Sequence, residues 1–140
     1  ITTDTENPPL FVAVLPLRAE AENAAEYGGP ELAKQQHDGY PDLNPGSVSR
    51  PPDKAFPGAL QAAKDMGWTI VASDPKSLRI EATDTTRWFG FKDDVVVRLS
   101  PSPAGSRIDV RSVSRVGKSD VGTNARRIKA YLARMNLLTM

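Results

Sequence analysis

Four short stretches between residues 68 and 111 carry apolar side chains at every second position, and this alternation constrains the fold more than any other feature. The stretches are 68–73, 78–83, 95–100 and 107–111. A period of two gives a strand with one buried and one solvated face, which is typical of antiparallel sheets. Turn-forming residues separate the first two stretches and the last two. The sequence therefore predicts an antiparallel meander of four strands.

The polar positions of these strands carry charges of both signs. They are Arg79, Glu81, Arg98, Arg107, Asp109 and Arg111. Because opposite charges on neighbouring strands solvate a sheet face, we expect this face to contact water. No aromatic residues are interleaved with the arginines as they are in a base-stacking sheet, which argues against nucleic-acid binding.

Helical periodicity flanks the meander on both sides. Apolar residues recur at helical spacing from Phe56 to Met66, and Gly67 suits the position after a helix end. A final helix is predicted from about Val121 to Leu137. Its expected buried stripe is Val121, Ala125, Ile128, Leu132 and Met135. Its expected water-facing residues are Arg126, Arg127, Lys129 and Arg134.

Two helices on one face of an antiparallel sheet give an α+β fold, a two-layer sandwich. The sheet has four strands, or five if 43–49 adds one, and Pro45 and Gly46 place that extra strand at an edge. We assign 51–140 to this core. Residues 1–50 form an irregular N-terminal arm docked on it, within a single domain. Nine of the twelve prolines lie in the first sixty residues.

Three parts of the arm carry local signals. Residues 10–15 are apolar and predict a short strand or an apolar plug on the core. Residues 19–25 have helix-forming composition and predict a brief acidic helix. The segments 27–30 and 37–41 are rich in Gly, Pro and Asp and predict turns.

Charge is divided unevenly along the chain. Residues 1–70 hold five Lys/Arg against ten Asp/Glu, and residues 71–140 hold thirteen against seven. The basic half predicts either a surface for an acidic partner or a surface that the acidic half covers and neutralises. The chain has no Cys, which excludes disulfides, thiol nucleophiles and Cys-ligated zinc.

The segment 114–128 (SRVGKSDVGTNARRI) combines a strand end, a polar turn between two glycines and a basic helix start. A helix start presents free N–H groups and a partial positive charge, so it suits a phosphate or carboxylate. Capping by Ser119 or Asp120 explains the same residues without a ligand. The candidate ligand-binding residues here are Arg115, Lys118, Ser119, Asp120, Asn124 and Arg126. The upstream glycine of a phosphate-binding loop is missing.

A second candidate is the segment 85–94, which lies between two strands and carries three aromatic residues. Arg87 and Trp88 could stack on a ligand or contact a partner, or the aromatic residues could fold back over the core. Asp93 and Asp94 are adjacent, so they point to opposite sides of a strand and are not expected to share a cation. His37 is the only histidine, which leaves no His-based metal cluster and argues against Ser-His-Asp catalysis.

The segment 114–128 resembles the signature of the family called domain of unknown function 1499. Supporting pieces are Ile1-Thr2-Thr3-Asp4 with Asn7-Pro8-Pro9, Tyr40-Pro41-Asp42, Gly67-Trp68, and Phe91 with Asp93-Asp94-Val95. The resemblance covers nearly the whole chain and implies a bacterial or plastid protein. Family members often carry membrane-spanning helices before this domain, which agrees with a sequence that opens on Ile1 and with an anchor outside it. The resemblance transfers no catalytic residue.

These observations lead us to expect a non-catalytic binding or interaction domain of a membrane-anchored protein, on either side of the membrane. Its partner would be a small anionic ligand or a protein, bound at the start of the last helix. No cofactor and no metal are expected. Two alternatives stay open: an enzyme with a carboxylate-centred site at acids such as Asp93, Asp94 or Asp109, and a carrier of a small apolar ligand between sheet and helices.

Overall fold

The part of the chain that the structure describes forms three α-helices and an antiparallel sheet of five strands, and the α+β fold class is confirmed. The computed structural model describes residues 1–18, 29–85, 91–115 and 121–139. The helices are α1 (Gly29–Gly39), α2 (Pro52–Asp65) and α3 (Val121–Thr139), preceded by a 3-10 helix at Leu15–Arg18. The strands are β1 (Gly46–Val48), β2 (Thr69–Asp74), β3 (Arg79–Thr85), β4 (Lys92–Ser102) and β5 (Gly105–Ser114).

The strands lie in the order β1-β5-β4-β3-β2, so the predicted meander runs from β2 to β5. The optional fifth strand is present as β1, which pairs antiparallel with β5 at the edge of the sheet. A register shift between Ile70 and Ala72 interrupts β2. A bulge of this kind moves the following side chains to the other face. Ala72 therefore pairs with Glu81 and Ser73 with Ile80. Val71, next to Ile70, packs with the cluster on the face opposite the helices.

The main core lies between the sheet and the two long helices, and aliphatic side chains fill it. Small residues on α2, among them Ala59, Ala62 and Ala63, are fully buried and let the helix lie close to the sheet. The Trp68 ring stacks on the Tyr131 ring with centroids 5.1 Å apart. The Tyr131 hydroxyl donates to the Ala59 carbonyl at 2.8 Å, which satisfies the one polar atom of this buried ring.

Residues 1–18 cover the other face of the sheet, and the prediction that this face contacts water is wrong. Phe11 and Val14 are buried on it and pack against Val96. The Arg111 guanidinium lies 5.0 Å from the centre of the Phe11 ring, within reach of a cation–π interaction. The strand alternation predicted correctly that two faces differ in polarity, but it could not show that the charged face has a cover.

Three buried carboxylates, one on each of β3, β4 and β5, bind the covering segment. Glu81 accepts the backbone N–H groups of Val12 and Ala13 at 2.7 and 2.8 Å. Asp94 accepts the Arg18 guanidinium at 2.6 Å, and Asp109 accepts the Thr3 hydroxyl at 2.8 Å. All three residues are fully buried. Because a buried carboxylate is costly without partners, each contact fixes one point of the segment on the sheet.

Two local predictions in the arm are settled by the structure. Of the two alternatives for residues 10–15, the apolar plug is confirmed and the strand is wrong; a turn at 13–14 leads into the 3-10 helix. The turns predicted at 27–30 and 37–41 overlap the two ends of α1, and Ala, Lys and Gln between its terminal glycines favour a helix. The buried Gln36 of α1 bonds the backbone N–H and C=O of Thr2 at 2.9 and 2.6 Å. The predicted helix at 19–25 lies outside the described residues.

Acid should weaken the attachment of the covering segment. Burial raises the pKa of Asp94, but hydrogen bonds from Arg115, Arg18 and Thr83 outweigh burial and hold the pKa below its usual value of 3.8. A carboxyl group with a lowered pKa stabilises the fold above its unfolded pKa, and this contribution is lost as the pH falls through the folded value. We expect the free energy of unfolding in urea to fall steeply below about pH 4.

The Asp94→Asn variant tests whether this carboxylate is responsible. At neutral pH it leaves the buried Arg18 and the partly buried Arg115 without their shared anion and should cost about 3 kcal/mol. Its additional loss in acid should be smaller than that of the parent chain. Asp53→Asn, which changes an exposed carboxylate on α2, serves as the control and should follow the parent curve. Parallel pH curves for Asp94→Asn and the parent would contradict the assignment.

Candidate functional site

The predicted site lies where β5 ends and α3 begins, and the described residues show its two sides. Arg115 follows the last residue of β5, and Asn124 and Arg126 lie on the first turns of α3. Lys118, Ser119 and Asp120 lie outside the described residues. The same is true of Arg87 and Trp88 in the second candidate segment.

Arg115 forms a bidentate ion pair with Asp94 on the face that the arm covers. Its Nε and Nη2 atoms each lie 2.9 Å from a carboxylate oxygen of Asp94. The hydrogen bond to Asp94 raises the pKa of Arg115 above its usual value, although burial acts in the opposite direction. Arg18 binds the same carboxylate, so Asp94 joins the end of β5 to the arm. Arg115 therefore serves this internal contact.

Asn124 is buried and bonds α3 to β5. Its side-chain oxygen accepts from the Ser112 hydroxyl and from Arg127 Nη1, each at 2.6 Å. Its Nδ2 donates to the Ser114 hydroxyl at 3.1 Å. The side chain thereby uses its oxygen and an N–H inside the protein, and it positions the first turns of the helix on the strand.

Arg127 was predicted to face water, and this prediction is wrong. Its Nη2 lies 2.7 Å from Asp93 and its Nε lies 3.0 Å from Asp84. Asp84 and Asp93 are direct neighbours across β3 and β4, so two carboxylates face each other with one guanidinium between them. The apolar stripe of α3 ends here against the polar end of the sheet, which the helical pattern alone does not show.

Among the described residues, three polar side chains that are exposed or partly exposed gather over the first turn of α3. The Arg126 guanidinium donates to the Thr123 hydroxyl at 3.1 Å. A methyl group at Gly122 would lie 3.3 Å from Arg126 Nη1 and 3.6 Å from the Tyr40 hydroxyl, so both groups approach the helix start closely. Sequence reasoning missed Tyr40 and Thr123. Tyr40 comes from the loop after α1, and only the docking of the arm brings it to α3.

The acids of the proposed enzymatic alternative are bound inside the protein. Asp93 and Asp94 point to opposite sides of β4, as expected for adjacent strand residues, and each binds arginine. Asp109 accepts from Arg107 at 2.8 Å as well as from Thr3. Within the described ranges, no group of three His, Asp or Glu side chains is arranged to hold a metal ion.

Replacing Arg127 should be far more damaging than replacing its neighbour Arg126. Arg127→Ala leaves Asp84 and Asp93 facing each other without a counter-charge, and we expect a loss of about 3–5 kcal/mol in the free energy of unfolding. Arg126→Ala, at an exposed position, should cost less than about 0.5 kcal/mol. Urea denaturation measures both. Equal losses for the two variants would show that the Arg127 cluster does not stabilise the start of α3.

Comparison with known protein families gives a match over nearly the whole chain. A family model described as a protein of unknown function, DUF1499, matches residues 1–135. The match spans the arm, the sheet and most of α3. No curated protein gives a significant match. The chain therefore belongs to the DUF1499 family, which confirms the resemblance that its segment 114–128 suggested.

Proposed function

We propose that this domain is a non-catalytic binding domain that is held beside a membrane and recognises an anionic group at the start of α3. The observation that carries the proposal is the convergence of Arg126, Thr123 and Tyr40 over the first turn of that helix. They supply one full positive charge and two hydroxyl groups. The N–H groups of a first helical turn have no partner within the helix and add further donors.

The other residues of the predicted site take different roles in this proposal. Lys118 and Ser119 come shortly before α3 in the sequence and remain predicted ligand contacts. Asp120 remains the residue that could cap the helix in place of a ligand. Arg115 and Asn124 become positioning residues, because their side chains bind Asp94 and the β5 serines.

The burial and internal hydrogen bonds of the aspartates favour a ligand-binding role over a carboxylate-centred reaction. A general acid or base must reach a substrate proton, either directly or through one water molecule. Asp94 and Asp109 are fully buried beneath the arm, and Asp93 is buried beneath α3. Arginine and hydroxyl groups already occupy their oxygen atoms. A substrate could reach them only if the arm or α3 moved away.

The close packing between α2 and the sheet argues against an apolar carrier. Ala59, Ala62 and Ala63 are fully buried, so their small size brings the helix close to the sheet. The stacked Trp68 and Tyr131 rings fill the adjacent space. A site for an apolar molecule between these layers would require the helix to move outward.

The location beside a membrane rests on the family resemblance, and the anchor would come from a segment outside this sequence. Among the helices that the structure describes, none has the length and apolar character to cross a bilayer.

Phosphate binding tests the proposed site. We expect inorganic phosphate to bind, and the Arg126→Ala variant to weaken binding about fivefold to tenfold, because it removes one charged hydrogen-bond donor. Isothermal titration gives the affinity, and amide chemical shifts in NMR should change at Gly122–Asn124. Lys54→Ala removes an exposed positive charge on α2 and serves as the control. Phosphate stabilises many proteins without binding, so equal effects on both variants would refute the site.

Arg115→Ala separates a positioning role from a ligand contact. We expect a loss of about 1–3 kcal/mol in the free energy of unfolding, because Asp94 loses its bidentate partner and, among the described residues, keeps Arg18 and Thr83. The phosphate affinity of the folded variant should stay within about twofold of the parent. A large loss of affinity with unchanged stability would instead make Arg115 a direct ligand contact.

A further inference from the structure

A pocket opens on the face of the sheet that the arm covers. Its volume is about 280 Å³. One wall is the arm segment at residues 7–10, and the other side consists of β3, β4 and the turn before β3. The lining residues are Asn7, Pro8, Pro9, Leu10, Ser77, Arg79, Val96 and Arg98. None of the described residues of the predicted site at α3 contributes to it.

Two arginines of this pocket stand directly opposite each other on neighbouring strands. Arg79 on β3 is the register partner of Arg98 on β4. Like charges at opposed positions destabilise a sheet unless an anion lies between or beside them. The Arg98 guanidinium is bound to Asp4, Asp109 and the Asn7 carbonyl.

Arg79 has a weaker internal partner. Its Nε lies 3.3 Å from Glu81, and that carboxylate also accepts backbone N–H groups from the arm. About a quarter of the Arg79 side chain is exposed, with a relative accessibility of 26%. Its guanidinium can therefore bind an additional anion at the pocket without breaking the contacts that hold the arm.

Four of the other six residues that line the pocket are apolar, and the remaining two are Asn7 and Ser77. Val96 lies at its base, and Pro8, Pro9 and Leu10 form its wall. Among the described residues, the exposed large apolar side chains are concentrated in the arm, with Phe91 as the exception. Those of the arm are Leu10, Val12, Leu15 and Leu17. A ligand that enters beside the arginines thus meets apolar surface both inside and outside the pocket.

We propose that this pocket binds a small amphiphilic anion, with a carboxylate or phosphate head and a short apolar chain. The head would lie against Arg79 and Arg98, where a guanidinium can donate two parallel hydrogen bonds. The chain would lie against Val96 and Leu10. The pocket is near the lower end of the range for ligand sites, about 300 Å³. A longer chain would extend over the exposed apolar residues of the arm.

Octyl phosphate is a suitable probe, because it carries both parts of the predicted ligand. We expect amide chemical shifts in NMR to change at Leu10, Ser77, Arg79 and Arg98 during a titration, and isothermal titration to give the affinity. Octanol and inorganic phosphate each lack one part of the ligand and should bind this pocket at least about tenfold more weakly. Octyl phosphate shifts that are confined to the first turn of α3 would assign the probe to the other site and overturn this proposal.

Three variants test the two halves of the pocket. Arg79→Gln should weaken octyl phosphate binding about tenfold, through loss of the charged donor. Lys76→Gln removes a neighbouring charge on the turn outside the pocket lining, and it should change binding less than about twofold. Leu10→Ala should weaken binding about threefold, through loss of apolar contact. Urea denaturation confirms that each variant is folded. Equal losses for Arg79→Gln and Lys76→Gln would mean general charge attraction and would overturn the proposal.

The same chemistry could come from a soluble single-chain molecule or from a membrane lipid. Sedimentation with vesicles of phosphatidylcholine, with and without phosphatidylglycerol, distinguishes the two sources. Binding to the anionic vesicles that Arg79→Gln weakens identifies a lipid. Octyl phosphate binding without vesicle binding identifies a soluble ligand. Absence of both overturns the proposal, whatever happens at α3.

Discussion

The structure depends on three carboxylates that the sheet buries on the side opposite its helices. Glu81, Asp94 and Asp109 stand on three successive neighbouring strands, and each is fully buried. Leaving a carboxylate in such a place without partners would cost several kcal/mol, about as much as the whole stability of a small domain. The arm supplies partners through backbone N–H groups, a guanidinium and a hydroxyl, in addition to Arg79, Arg107 and Arg115 from the sheet and its end. It is therefore part of the fold, although it contains little regular structure over residues 1–18.

The uneven division of charge along the sequence has a partial explanation in the same contacts. Acids of the first half bind cations of the second half at several places. Asp4 binds Arg98 and Arg107, Asp42 binds Lys129, and Asp65 binds Arg134. Most of these pairs are near the surface, where each contributes little stability in water. Their effect is to reduce the positive potential of the basic half. Positive charge then remains at individual arginines such as Arg126 and Arg79.

The sequence predicted the parts of the fold that depend on periodic patterns. The strands β2 to β5, α2 and α3 follow from alternation and helical spacing, and β1 follows from a short segment with Pro45 and Gly46. The cover over the charged face did not follow, because its anchors are single contacts between residues far apart in sequence. Thr3 and Asp109 are separated by 106 positions. The burial of Arg127 was missed for the same reason, since this helix residue finds its partners Asp84 and Asp93 on β3 and β4.

Sequence reasoning predicted the location of the candidate site residues better than it predicted what their side chains bind. Arg115, Asn124 and Arg126 do lie around the end of β5 and the start of α3, but only Arg126 is exposed. A basic residue near a helix start reads the same in a sequence whether it binds a ligand or an internal carboxylate. The deciding information is the neighbouring acid, and Asp94 reaches Arg115 through strand pairing rather than through local sequence.

The adjacent pair Asp93 and Asp94 links the two faces of the sheet. Asp93 binds Arg127 on α3, and Asp94 binds Arg18 of the arm together with Arg115 at the end of β5. Because the two side chains leave one strand in opposite directions, a displacement of β4 at this point disturbs both the helix start and the arm. A ligand that binds only the folded arrangement at the start of α3 stabilises the whole arrangement by mass action. A ligand bound at the proposed site would therefore also stabilise the arm, through the start of β4.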